Sequence, residues 1–222
     1  MNVLVIAPHP DDEVLGVGGT IAKRVSEGDS VYVCVVTKGC APLFEDAIVC
    51  RSREECRRAD LFLGVSETIF LDFPAAMLEN VPRYQLNDAF LRVIQRIKPD
   101  EVYLPHRGDM QIDHKMVVDA AMVALRPKYE HRVSRIYAYE TLSETGWDIP
   151  NTVNEFLPNV YEDISMTLQK KLEALNCFQS QLSPFPSARS TGAVEALARY
   201  RGATVGVDAA ESFALIRELK GF

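Results

Sequence analysis

The sequence predicts an α/β fold with a mostly parallel sheet and helices on both of its faces. Short apolar runs alternate with amphipathic stretches along the first two thirds of the chain. The first two runs, residues 3–7 and 31–36, are almost continuously apolar, which is typical of strands covered on both faces. Because parallel strands need crossover connections, the alternation of strands and helices favours a sheet built from right-handed crossovers.

Five segments are predicted to be strands because they are rich in Val, Ile and Tyr and are bounded by turn residues. They are residues 3–7, 31–36, 68–71, 102–104 and 135–139.

Three helices are predicted between these strands. Residues 47–63 should form a helix that ends at Gly64, since glycine readily adopts the left-handed conformation that follows a helix. Apolar residues within 86–97 recur at helical spacing before Pro99, and residues 114–125 form a similar stretch. Together with the strands, these helices predict a Rossmann-like arrangement.

The regular alternation stops after Tyr139. Residues 151–158 are expected to form a loop, and residues 164–176 to be helical. Two further short helices are predicted over 193–200 and 209–219. No linker is long enough to divide the chain, so residues 1–222 are expected to form a single domain.

Composition excludes several classes of protein. The 24 Lys and Arg against 31 Asp and Glu give a net charge of −7, which argues against a nucleic-acid partner. No apolar run approaches the roughly 20 residues of a membrane span, and the first residues lack the basic region of a signal peptide. A cytoplasmic protein is therefore expected. The five cysteines include no C-x-x-C pair, which disfavours both disulfides and a cysteine zinc site.

Ionisable side chains follow the first strand directly. His9, Asp11, Asp12 and Glu13 lie within residues 7–13, with prolines between them that stiffen the turn. Ligands of open parallel sheets bind at the carboxyl ends of the strands, so this segment is expected to belong to a site. Its three negative charges need a cation or strong hydrogen bonds to compensate them.

The glycines after this segment resemble a dinucleotide fingerprint only in part. Gly16 and Gly18 match G-x-G, but Ile21 stands where the third glycine is needed. The acidic residues would also lie where a pyrophosphate should bind. These glycines are therefore interpreted as positions of close backbone packing.

A second polar cluster follows the fourth predicted strand. It spans residues 105–114 and contains His106, Asp109, Asp113 and His114. Histidine and carboxylate ligands without cysteine suit Zn²⁺ or another divalent metal. A site of His9, Asp12 and His114 would leave a net positive centre that lowers the pKa of a bound water.

The segment over residues 7–13 resembles the (A/P)-H-P-D-D-E signature of the LmbE-like, or PIG-L-type, N-deacetylases. Asp113 and His114 resemble the end of that family's H-x-D-H motif, and weaker similarities extend over nearly the whole chain. The resemblance implies removal of an acetyl group from an N-acetylated amino sugar, usually N-acetylglucosamine in a larger glycoside. A homo-oligomer is compatible with it, since relatives often assemble.

Carried over to this sequence, the resemblance makes His9, Asp12 and His114 the metal ligands and Asp11 the general base. The first histidine of H-x-D-H is replaced by Gln111, which can donate a hydrogen bond but cannot act as an acid near neutral pH. Either Gln111 holds the oxyanion while Asp11 transfers every proton, or His106 reaches in, or the activity is weakened or altered. Asp113 is then a helix N-cap or a partner of a metal-bound histidine.

Several arginines are further candidates for contacts with the substrate. Arg51 and Arg53 both lie near the substrate-contacting arginine of the family, and Ser52 is an alternative for that position. Their helix also fits a solvated, ion-paired face. Arg107 could meet an anionic group such as a phosphate. The alternatives to a deacetylase are a metal-dependent phosphoesterase, which would need two ions, and a non-catalytic sugar-binding relative.

Overall fold

The computed structural model describes residues 1–128 and 131–221, which contain a seven-stranded sheet between two layers of helices. The strands are β1 Asn2–Ala7, β2 Ser30–Lys38, β3 Glu67–Pro74, β4 Glu101–Pro105, β5 Arg135–Tyr139, β6 Val160–Asp163 and β7 Ala210–Glu218. The helices are α1 Asp12–Ser26, α2 Asp46–Leu63, α3 Arg83–Ile97, α4 Ile112–Ala124, α5 Leu168–Leu175 and α6 Thr191–Ala203.

The strands lie in the order β3-β2-β1-β4-β5-β7-β6. Strands β1 to β5 pair in parallel, whereas β7 is antiparallel to both β5 and β6. The direction of winding changes at β1, because β2 and β4 lie on its opposite sides. The prediction of a mostly parallel α/β sheet is therefore confirmed.

Alternate residues of β1 supply the two cores, as the period of a strand requires. Val3 and Val5 face one apolar cluster, to which α1, α2 and α5 contribute. Leu4 and Ile6 face the other, which contains the apolar stripes of α3 and α4. Helices therefore cover both faces of the sheet, and α2 ends at Gly64, whose φ is +92°.

The predicted helix over residues 209–219 is wrong, because this segment forms strand β7. Its pairing with β5 and β6 completes the sheet. A short apolar run is ambiguous between helix and strand from periodicity alone, so the long-range pairing decides. Strand β6 and helix α1 are also absent from the sequence-based prediction, and the glycines of α1 weaken its helical pattern.

Those glycines do mark close packing, as predicted. A Cβ atom on Gly16 would lie 2.2 Å from Cδ2 of Tyr139, and one on Gly19 would lie 2.7 Å from Cδ1 of Ile164. A larger side chain at either position would force α1 away from its neighbours.

A buried ion pair connects the C-terminal segments to α1. Nζ of Lys171 lies 2.5 Å from Oε1 of Glu211 and donates to the carbonyl of Leu15 at 2.8 Å. Glu211 accepts the backbone N–H groups of Gly19 and Thr20. Among the described residues, no helix combines the length and the hydropathy needed to cross a bilayer.

Candidate metal centre and active site

The two polar clusters meet because β1 and β4 are neighbouring parallel strands whose carboxyl ends lie at the same edge. The carboxyl ends of β1 and β4 lie where the strand order reverses direction. In open α/β sheets, ligands usually bind at this point. The carbonyl of Pro8 accepts the backbone N–H of Thr37 at 3.0 Å and its hydroxyl at 2.8 Å. These bonds hold the segment after β1 against β2.

His9, Asp12 and His114 converge at this edge. Nδ1 of His9 lies 3.2 Å from Oδ2 of Asp12, and Nε2 of His114 lies 3.3 Å from the same oxygen. One potential ligand atom from each residue lies within 4.8 Å of the other two. The backbone N–H of His9 also donates to Oδ2 of Asp12 at 2.9 Å, which orients that carboxylate.

These residues fit a divalent metal. Oδ1 of Asp12 and Nε2 of His114 are buried, and neither has a hydrogen-bond partner. Leaving such atoms unpaired costs about 1–3 kcal/mol each. A cation bound to their lone pairs would remove this cost. Two imidazole nitrogens and a carboxylate oxygen form a donor set typical of catalytic Zn²⁺ sites.

Each histidine is held by a carboxylate at its other nitrogen. Nε2 of His9 lies 3.1 Å from Oδ2 of Asp113, and Nδ1 of His114 lies 2.8 Å from Oδ2 of Asp109. Partners of this kind fix the tautomer and the orientation of metal-binding histidines. Asp113 is not the N-cap of α4, because Gln111 occupies that position. The Asp113 carboxylate instead accepts the backbone N–H of Ala76 at 2.6 Å.

The surrounding carboxylates shift the pKa values of this cluster. Burial alone would lower the pKa of His9, but hydrogen bonds with Asp113 and Asp12 raise it to about 9. Burial opposes the same effect in His114, where Asp12 and Asp109 raise the pKa to about 10. Burial would raise the pKa of Asp12, yet the two histidines hold it well below its usual range. The negative charges of these buried carboxylates are therefore balanced either by protonated histidine rings or by a bound cation.

Asp11 lies beside the triad in a strained backbone conformation, with φ 111° and ψ −27°. Its side chain is 2% exposed. Oδ2 of Asp11 lies 3.1 Å from Nη1 of Arg189, whereas Oδ1 has no hydrogen-bond partner. Burial raises the pKa of Asp11 to about 7, although the charge of Arg189 opposes that rise. Strain of this kind concentrates at functional sites.

Asp11 and His9 open into a cavity of about 190 Å³. Gln111 and Arg53 also line it, as do Gln181 and Arg189 from the C-terminal third of the chain. Arg53 pairs with Asp72 and lies over the ring of Phe70, 4.5 Å from its centroid. Arg53 therefore lines the cavity and forms an ion pair at the same time.

Two predicted contact residues lie elsewhere. Arg107 is exposed and makes two hydrogen bonds to Asp119, at 2.7 and 3.2 Å. Nε2 of His106 lies 3.0 Å from the carbonyl of Asn154, and its ring packs on Phe156. Neither residue is among the described residues that line the cavity of Asp11.

Arg189 and Asp109 are site residues that no sequence pattern assigned. Asp109 lies inside the predicted cluster over residues 105–114, but unlike Asp113 it is not part of the resemblance to the H-x-D-H motif. Arg189 lies in a loop with no motif, and only the tertiary fold brings it to Asp11. Gln181 accepts a hydrogen bond from Nη1 of Arg189 at 3.1 Å, which fixes the guanidinium.

A second group of potential ligands lies behind the site, between α1 and α2. Glu13, Cys56 and Asp60 are all buried, and Glu13 accepts the backbone N–H of Asp11 at 3.0 Å. Burial and the charges of Asp60 and Asp11 raise the pKa of Glu13 well above its usual range. None of the three is among the described residues that line the cavity.

Known protein families and curated proteins include clear relatives of this chain. The PIG-L family model, described as GlcNAc-PI de-N-acetylase, matches residues 4–125. The uncharacterized deacetylase YaiS of Escherichia coli (strain K12) is 33% identical over 171 residues, which cover 73% of this chain and 82% of the relative. Diacetylchitobiose deacetylase of Thermococcus kodakarensis is 28% identical over 192 residues, covering 81% of this chain and 70% of the relative.

Solved structures share the fold. The conserved protein TT1542 from Thermus thermophilus superposes with a TM-score of 0.81 at 27% identity, covering 99% of this chain and 96% of that one. The matched family segment contains Asp11 and all three residues of the candidate metal site, His9, Asp12 and His114. With more than half of its residues matched by the family model, this chain belongs to the PIG-L family.

Proposed function

We propose that this protein is a metal-dependent N-deacetylase that hydrolyses the acetamido group of an N-acetylated amino sugar or its glycoside. The observation that carries the proposal is the convergence of His9, Asp12 and His114 beside Asp11, which lines the same cavity as His9. Family membership and the deacetylase relatives support the reaction class.

His9, Asp12 and His114 would hold the ion, and their nitrogen and oxygen donors favour Zn²⁺. When bound, such an ion would supply Lewis-acid polarisation of the amide carbonyl and acidify a water molecule. Asp113 and Asp109 keep the two imidazole rings oriented toward Asp12.

Asp11 is the proposed general base. It takes a proton from the attacking water as the water oxygen bonds to the carbonyl carbon. The same carboxyl group then gives that proton to the nitrogen as the C–N bond breaks, so the products are a free amine and acetic acid, which ionises to acetate in water. Arg189 holds Oδ2 of Asp11, and this contact leaves Oδ1 available for the proton.

Gln111 is the proposed donor to the developing oxyanion. It lines the cavity next to His9, and its amide N–H can donate a hydrogen bond to the carbonyl oxygen. His106, the alternative donor, is bonded to Asn154 instead. A phosphoesterase gains no support, because the second group of ligands among the described residues is buried away from the cavity.

Acetate release from a panel of N-acetylated amino sugars and their glycosides, with and without chelator, tests this function. Activity should disappear with chelator and return with Zn²⁺. A wild-type enzyme that releases no acetate from any member would contradict the deacetylase assignment, and phosphatase turnover with two ions per chain would favour the phosphoesterase.

Asp11→Asn tests the base, because asparagine tolerates a positive φ and therefore preserves the local backbone. We expect turnover to fall by about 10²–10⁴, the usual contribution of a general base, while elemental analysis still finds the metal. The control is Asp88→Asn, an exposed acid of α3. Wild-type turnover in Asp11→Asn would contradict the assignment of the base.

A further inference from the structure

The hydrogen bonds around His114 continue beyond Asp109 to a threonine on the loop that follows β5. Oγ1 of Thr145 donates to Oδ1 of Asp109 at 2.6 Å, and Oδ2 of Asp109 lies 2.8 Å from Nδ1 of His114. His114 and Asp109 are fully buried. Three side chains from two separate segments thus form one chain that ends at a metal ligand.

The direction of each bond in this chain is fixed by chemistry. If Nε2 of His114 faces the metal, Nδ1 must carry its proton and donate it to Asp109. The backbone N–H of Thr141 donates to Oγ1 of Thr145 at 2.8 Å, so that oxygen already accepts a bond. The hydroxyl proton of Thr145 therefore goes to Asp109, whose second oxygen would otherwise be buried without a donor.

The loop of Thr145 is also bound to the segment that carries His114. The backbone N–H of Met110 donates to the carbonyl of Glu144 at 3.4 Å. On its other side, Thr145 lines a groove of about 570 Å³ together with Gly108, Asn154 and Phe156. Thr145 thus stands between this groove and the metal centre.

We propose that Thr145 is a positioning residue for the metal ligand His114, acting through Asp109. The role rests on the proposed metal centre but not on the identity of the substrate. Thr145 fixes the carboxylate of Asp109, and that carboxylate fixes the rotation and tautomer of the His114 ring. Partners of metal-binding histidines typically contribute about 10–100-fold to metal affinity, so a residue one bond further out should contribute less.

The test is the affinity of the substrate-free protein for Zn²⁺, measured by competition with a chelating dye. Thr145→Val keeps the shape of the side chain but removes the hydroxyl, and we expect its dissociation constant to rise by about three- to tenfold. Thr145→Ser keeps the hydroxyl and should bind Zn²⁺ as the wild type does. Thr152→Val is the matched control, since Thr152 lines the same groove and is exposed.

A double-mutant cycle with Asp109→Asn separates this role from a general loss of structure. If Thr145 acts through Asp109, adding Thr145→Val to Asp109→Asn should produce no further loss of affinity. Wild-type affinity in Thr145→Val would overturn the proposal, as would equal losses in Thr145→Val and Thr145→Ser. A wild type that binds Zn²⁺ but releases no acetate would contradict the proposed function alone.

Discussion

The backbone conformation and the side-chain environment of Asp11 are both set by neighbouring residues. Its backbone is held at a positive φ, where Glu13 accepts its N–H, and its carboxylate is buried beside a guanidinium. Few side chains tolerate this backbone, and aspartate is among those that do. This residue lies at the cavity, immediately before the first residue of α1.

Arg189→Gln tests the contribution of the guanidinium to that placement. The substitution removes a charged hydrogen bond worth about 1.5–3 kcal/mol, so we expect turnover to fall roughly tenfold to a hundredfold. Zn²⁺ affinity should stay unchanged, because Arg189 contacts none of the three proposed ligands. Steady-state kinetics and dye competition measure the two quantities.

Arg199→Gln is the matched control, since Arg199 makes a similar pair with Glu195 on the exposed surface of α6. A loss of turnover in Arg199→Gln as large as that in Arg189→Gln would remove the special role of Arg189. Unchanged turnover in Arg189→Gln would show that burial and Glu13 suffice to hold Asp11.

Some residues of the candidate site can be predicted from the sequence, and others cannot. His9 and Asp12 directly follow a strand, and His114 follows its neighbour in the sheet, so topology alone predicts that they meet. Arg189 reaches Asp11 through a loop whose path depends on tertiary packing, and no local pattern encodes that path. Asp109 and Asp113 are chemically identical, and only the folded geometry assigns each to its own histidine.

Among the elements, α1 depends on the C-terminal segments that cover it. Lys171 of α5 and Glu211 of β7 are 3% and 4% exposed, and both bond to the backbone of α1. Burying one charge without the other would leave it uncompensated. Helix α1, which begins at the candidate metal site, is thereby fixed by residues of α5 and β7.

Lys171→Met should therefore destabilise the whole fold. Removing one partner of a buried ion pair costs about 3–5 kcal/mol, and chemical denaturation measures that free energy of unfolding. Lys220→Met is the control, because Lys220 pairs with Glu218 at the exposed end of β7. Equal stabilities of the two variants would mean that Glu211 is compensated without Lys171.

The elements predicted correctly are those whose local pattern agrees with their environment. Strand β1 is apolar throughout because helices cover both of its faces, and α3 carries one apolar stripe because it covers one face. Strand β7 pairs with β5 on one side and β6 on the other, and such pairing leaves no signal in nearby residues. Its short apolar run therefore fits a helix equally well.

At the scale of the molecule, the metal would join two parts of the chain that are distant in sequence. His9 and Asp12 follow the first strand, whereas His114 belongs to α4, beyond the fourth. A ligand that binds only the folded state adds to stability by mass action, about 2.7 kcal/mol at a hundredfold excess over its dissociation constant.

Zn²⁺ should accordingly raise the melting temperature of the apoprotein, as measured by thermal denaturation at increasing metal concentration. His114→Ala should abolish this shift, whereas His106→Ala should retain it, because His106 of the same segment bonds to Asn154. A full shift in His114→Ala would show that the stabilising ion binds elsewhere.

The pairing of β1 with β4 also sets an order of events during synthesis on the ribosome. His9 and Asp12 are synthesised roughly 100 residues before His114, the third proposed ligand. The nascent protein must therefore pass through a long period in which it cannot complete the triad. Metal capture consequently reports that the central strands have already paired.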